Sequence, residues 1–152
     1  MGEAFFYHMT RTPLEETLPV LLGKALERGW RVALRGRDPA LLERLDQRLW
    51  LSPEEGFLPH GLAGGPHDAA QPVLLTTAAT AANGAQCLVS VDGAEVAPDE
   101  VNGHERVMIL FDGNDPAALD VARGQWRNLT RAACKAKYWS QESGRWEMRA
   151  ES

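Results

Sequence analysis

Three runs of the chain, 72–77 (PVLLTT), 87–91 (CLVSV) and 106–111 (RVMILF), are apolar almost without interruption. A strand with one face in water alternates apolar and polar residues. These do not, so both of their faces must be covered, as in a parallel sheet packed between helices. The rest of the chain has to supply those helices. Thr12-Pro13-Leu14-Glu15 has the form of a helix start, a hydroxyl cap followed by proline and then glutamate, and Leu14, Leu18, Leu21, Leu22, Ala25 and Leu26 recur at helical spacing up to Gly29. Pro19 lies inside that pattern and is expected to kink the first turns or delay the regular helix. Asp38-Pro39 starts a second helix carrying Leu41, Leu42, Leu45 and Leu49, and Asp115-Pro116 starts a third that runs to about Ala133. AFFYHM and WRVALRG read as strands, and YWSQESGRWEM as a hairpin turning near Glu142 to Gly144. The order predicts a single α/β domain over residues 1–152: three layers, a mostly parallel central sheet flanked by helices, and a C-terminal antiparallel hairpin.

The charge distribution narrows the choice of partner. Net charge is -5, which opposes a broad grip on a phosphate backbone, because that affinity comes from many Lys and Arg displacing counterions. The sign is divided along the chain. Residues 1–120 hold 9 basic and 18 acidic side chains, whereas 121–152 hold 7 basic and 3 acidic. A local basic surface on an acidic protein suits a small acidic partner. Cys87 and Cys134 lie far apart with no CxxC or Cys/His spacing, so neither a disulfide framework nor a zinc site is suggested, and a reducing cytoplasm is expected. No run of about 18 apolar residues occurs, so no membrane span is expected.

Between the second helix and PVLLTT the periodic pattern lapses into FLPHGLAGGP. A phosphate loop needs lysine and a hydroxyl residue at the head of a helix; this stretch has no lysine, and Gly61, Gly64 and Gly65 are wrongly spaced for a dinucleotide fingerprint. His60 is a candidate general base, but no nucleophile or paired carboxylate is placed to complete a set, and the plain alternative is a loop histidine bonded to backbone. His60, His67 and Asp68 lack any recognised metal-ligand spacing. Asp92 and Asp112 each leave a strand in an Asp-Gly pair. That is where α/β sites gather and where magnesium-binding acids sit, but it is also the preferred composition of an ordinary turn. With His60 these two acids define one alternative, a small hydrolase or nucleotide-binding enzyme. Stacking of single-stranded DNA on Trp126, Trp139 and Trp146 beside the basic C-terminus is another.

The third helix is more informative. At 100° per residue, Ala118, Val121, Ala122, Leu129, Ala132 and Ala133 form an apolar stripe facing the sheet, and Arg123, Arg127 and Arg131 recur on another face. Trp126 and Leu119 fall on the shoulder between them. Such a shoulder offers apolar area flanked by guanidinium groups, able to seat an aromatic ring and to bind a carboxylate through paired hydrogen bonds. A solvated arginine face with a half-packed tryptophan is the other reading.

FFYHM at the start, RLDQRLW followed by FLPHGLAGG, the pair VDGAEV and ILFDG, and the ending ARGQWRNL…YWSQESGRWE together resemble the chi subunit of bacterial DNA polymerase III, in order along nearly the whole chain. The resemblance implies a non-catalytic accessory of the replicative clamp loader, without cofactor, that reaches DNA only indirectly. It implies binding of the acidic, aromatic-ended C-terminal tail of single-stranded DNA-binding protein, through an arginine, an aromatic residue three later and then a basic residue. Those positions fall on Arg123, Trp126 and Arg127. It also implies a second contact surface, for the psi subunit, another clamp-loader subunit or a helicase. A phenylalanine of that interface matches Phe57, with Trp50 and Leu58 beside it. Trp126 stands where some relatives carry tyrosine, and Cys134 where glycine or a bulkier residue is expected at the helix exit.

Overall fold

The computed structural model describes residues 2–50, 59–78 and 83–152. Its elements in chain order are β1 (Glu3–Met9), α1 (Leu14–Glu27), β2 (Val32–Arg35), α2 (Pro39–Trp50), β3 (His60–Leu62), β4 (Val73–Thr76), β5 (Cys87–Ser90), α3 (Pro98–Gly103), β6 (Arg106–Asp112), α4 (Pro116–Arg131), β7 (Lys135–Ser140) and β8 (Glu147–Glu151). The strands form one sheet in the order β3-β4-β2-β5-β6-β1-β7-β8. Every neighbouring pair is parallel except β7 and β8, which are antiparallel. The α/β class, the mostly parallel sheet and the C-terminal antiparallel pair agree with the sequence reading.

The continuous apolar runs have the cause inferred for them. Successive side chains of β2, β4, β5 and β6 point to opposite faces, and each face has its own core. On one face Leu18, Leu22 and Ala25 of α1 and Leu42, Leu45 and Leu49 of α2 pack on Val32, Leu34, Val73, Leu75, Val89 and Met108. On the other, Val101 of α3 and Ala122 and Leu129 of α4 pack on Phe6, Ala33, Leu88, Val107, Ile109 and Ala136. On the α3 face of the sheet a buried polar side chain, Arg35 at the end of β2, is 7% exposed. Its guanidinium donates to both carboxylate oxygens of Glu100 and to the Glu95 carbonyl.

Several local expectations are corrected. The stretch read as loop contains β3, a three-residue strand paired with β4 from His60↔Val73 to Leu62↔Leu75; it is too short to carry a periodic signal. The six-residue α3 fails to register for the same reason. Pro19 is buried within a helix that is continuous from Leu14 to Glu27, so the N–H it lacks removes one rung without ending the helix. Thr12 does not cap α1: the cap position is Pro13, without a side-chain bond. The Thr12 hydroxyl instead pairs with Thr17 Oγ1 at 2.7 Å and accepts from Gln141 Nε2 at 2.9 Å, tying the helix start to the end of β7. Asp38 and Asp115 do cap, accepting from Ala40 N–H and Ala117 N–H. The hairpin turn closes through Gly144 N–H to the Gln141 carbonyl, with Gly144 at φ 96. Among the described residues no helix is long and apolar enough to cross a membrane.

Candidate partner-binding site

Asp115 and Pro116 place α4 across β6 and β7, and the helix ends in an αL turn. Ala133 sits at φ 64, its N–H donating to the Thr130 carbonyl and that of Cys134 to the Leu129 carbonyl at 3.0 Å. This is the Schellman arrangement, with alanine in the position glycine usually takes. The chain then enters β7 directly, and Cys134 is buried.

The buried seam of α4 is Ala122, Gln125 and Leu129. That corrects the apolar stripe read from the sequence. Val121 is 41% exposed, and Ala132 and Ala133 lie beyond the helix and are exposed. Gln125 takes the inward place because its Oε1 accepts the buried Val96 N–H at 3.0 Å, a bond an aliphatic side chain cannot make. Rotating the seam in this way leaves Trp126 half-buried on the shoulder. Its indole meets Phe6 edge-on, with ring centroids 5.3 Å apart, and Tyr138 at 5.9 Å.

The guanidinium groups lie outside this aromatic wall. The Arg123 side chain is 61% exposed, with Nη1 4.0 Å from Asp120 Oδ1, and Arg127 is exposed one turn on. On the β7 side, Tyr138 shares its hydroxyl with His8 Nδ1 at 3.0 Å, and Glu142 Oε1 approaches the same nitrogen at 3.5 Å. Burial pushes the Tyr138 hydroxyl above its ordinary pKa; nearby Arg123 opposes that shift and Glu142 adds to it. Arg123, Trp126 and Tyr138 therefore share one neighbourhood. Tyr138 and His8 lie 12 and 118 residues from Trp126 in sequence, outside α4, so helical spacing on α4 had no means of finding them.

The other candidates do not converge. Asp92 and Asp112 leave the carboxyl ends of β5 and β6, on the lip of a cleft of about 690 Å³ that also reaches Arg11 and Arg37. The cleft lies where the chain leaving β1 turns to α1 on one face and the chain leaving its neighbour β6 turns to α4 on the other, the switch point of an α/β sheet. His60 opens β3 at the opposite, amino ends of the strands and at the sheet's outer edge. There its Nε2 lies 3.0 Å from the Asp46 carbonyl and 3.2 Å from Asp46 Oδ1, and its ring packs on Trp50 with centroids 4.2 Å apart. The three-residue enzyme reading is thereby overturned.

Both acids form turns. Asp92, at φ 58 beside Gly93 at φ 67, accepts from the N–H groups of Arg37 and Asp38, and Asp112 accepts from Asn114 N–H. Asp68 spends its carboxylate oxygens on Gly64 N–H and Gly65 N–H. Trp139 and Trp146 line the α1 side of the sheet, whereas Trp126 packs on the α4 side, so the three indoles do not make one platform. Trp50 is 53% exposed; Phe57 and Leu58, the other residues expected on a second contact surface, lie outside the described residues.

No curated protein matches the sequence. The model of the family described as DNA polymerase III chi subunit, HolC, matches residues 1–137, and the chain belongs to that family.

Proposed function

We propose that this chain is the adaptor through which the DNA polymerase III machinery holds single-stranded DNA-binding protein, with no catalytic site of its own. The observation that supports it is the geometry of α4: Arg123 and Arg127, both exposed, flank the half-buried indole of Trp126. The acidic tail of the binding protein brings carboxylates to the two guanidinium groups, where bidentate pairing is available. Its terminal aromatic ring lies against Trp126. The contact is small and sits on the surface, so it is weak to moderate and falls as salt rises. DNA is reached only through that partner. The exposed Trp50 end of α2, with Phe57 and Leu58, is the surface for a clamp-loader subunit such as psi, or for a helicase.

The test is calorimetric titration of a tail peptide into the wild type and into Arg127→Glu. Reversing that exposed charge should abolish measurable binding and leave thermal stability nearly unchanged, since surface substitutions away from packed features stay within about 0.5 kcal/mol. Equal binding by both proteins would remove the site.

A further inference from the structure

The α4 shoulder lies on one side of the sheet. On the other side the helix layer ends at α1, which packs on β2 and β6, and a groove of about 420 Å³ runs between α1 and the C-terminal hairpin. Tyr7 of β1 and Trp139 of β7 share its floor, being register partners on parallel strands. Trp146 closes the outer wall and meets Tyr7 edge-on at 5.4 Å. Val20, 41% exposed, forms the α1 rim, and Met148, opposite Trp139 on β8 and 46% exposed, continues the apolar surface beyond the groove. The groove's ionic residues are Lys24, Arg28 and Arg106 against the single acid Glu16.

We propose that this groove docks an amphipathic helix of a partner protein, one with large apolar side chains on one face and acidic residues beside them. The dimensions follow from the layer: an added helix extends the α1–α2 layer over β1 and β7 as α4 does on the opposite face. Charge selects its polar flank, because three cations against one acid complement a negative segment. A second copy of this chain is disfavoured, since each carries a net charge of -5.

A single strand of nucleic acid fits less well. Three cations release few counterions. The aromatic rings are also engaged with one another and with the cations: Arg28 and Arg106 lie 5.0 and 5.2 Å over Trp30, and Tyr7 is set against Trp146.

Fluorescence anisotropy tests it with three labelled probes: a Leu/Glu amphipathic peptide of about 15 residues, long enough to hold a helix, its Leu/Lys counterpart, and an oligo-dT of about 15 nucleotides. The expected result is binding of the Leu/Glu peptide alone, weakened roughly tenfold or more by Val20→Glu, which sets a carboxylate in the apolar contact, and unchanged by Arg127→Glu. Tail-peptide binding should respond in the opposite way to the same two variants, so the two sites fail independently. The proposal is overturned if the Leu/Glu peptide does not bind, if Val20→Glu leaves its affinity intact, or if oligo-dT binds in its place. A concentration-dependent dimer that Val20→Glu dissociates overturns it as well.

Discussion

Phe6 and Trp126 meet edge to face, their ring centroids 5.3 Å apart and their planes at 72°. The side chain proposed to receive a partner's aromatic end is thus also one of those that fasten α4 to a central strand. Truncation and loss of function are consequently entangled at this position. Trp126→Ala should cost about 2 kcal/mol, less than a fully buried aromatic because the indole is only half covered, and lower Tm by roughly 4–8 °C. Trp126→Phe retains ring-on-ring contact with Phe6 and Tyr138 and should hold Tm much closer to wild type. Paired thermal scans and tail-peptide titrations separate the two roles. If Trp126→Phe binds the tail as weakly as Trp126→Ala while remaining stable, the indole itself is the contact; equal loss of stability in both would assign it to packing.

Asp120 Oδ1 lies 4.0 Å from Arg123 Nη1, with the carboxylate 80% exposed. A surface pair at that distance adds little to stability. It does offer Arg123 an acid already in place, with which an incoming tail must compete. Asp120→Asn should raise tail affinity roughly two- to fivefold at low ionic strength, the range of about 0.4–1 kcal/mol typical of exposed pairs. In about 0.5 M salt, where such interactions are screened, the gain should shrink toward nothing. An unchanged affinity at low salt would place the tail's carboxylates away from Arg123.

What could be read before folding was governed by local rules. Continuous apolar runs in β4, β5 and β6 fixed a sheet covered on both faces, and the Asp-Pro starts of α2 and α4 found real caps, because capping is settled within three residues. Contacts between distant segments were invisible. Nothing local indicates that Thr12 will bond Gln141 and leave the cap position of its helix to Pro13, or that Gln125 will turn inward to meet Val96. The site divides along the same line. Arg123, Trp126 and Arg127 share one helix and so can be found by counting, whereas Tyr138, His8 and Glu142 are brought to them by β1 pairing with β7. His60, Asp92 and Asp112 looked equivalent as isolated polar residues. Strand direction separates them, placing His60 at the amino ends and both acids at the carboxyl ends.

Ala133 holds φ 64 to close the Schellman turn that leads α4 into β7. An L-residue with a β-carbon is strained in that region by about 1 kcal/mol, and glycine is not. Ala133→Gly should therefore stabilise the protein by about 0.5 kcal/mol, the released strain being partly offset by the greater freedom of glycine in the unfolded chain. Chemical denaturation should show a higher midpoint with an unchanged slope. A lower midpoint would mean that the unfolded-state entropy of glycine outweighs the strain at this turn.

Arg35, buried at the end of β2, forks onto Glu100 of α3, and the Glu100 carboxylate also accepts Ala97 N–H at 3.0 Å. Burial acts to raise the Glu100 pKa. The hydrogen bonds from Arg35 and Ala97, with the charges of Arg35 and His104, outweigh it and leave the carboxyl below its ordinary value. A carboxyl lowered in the folded state binds fewer protons there than in the unfolded chain. Its contribution to stability is accordingly complete above the unfolded value of about 4.3 and is lost as pH falls from there through the folded value. Glu100→Gln leaves the buried guanidinium facing a neutral partner. It should cost about 2 kcal/mol at pH 7, less than a fully buried pair because Glu100 reaches solvent. Since acid removes the same charge from the wild type, the difference in Tm between the two proteins should be widest near neutral pH and narrow steadily below about pH 4.3. A gap that stays constant from pH 7 to pH 3 would show that shape, and not charge, is what Glu100 supplies to Arg35.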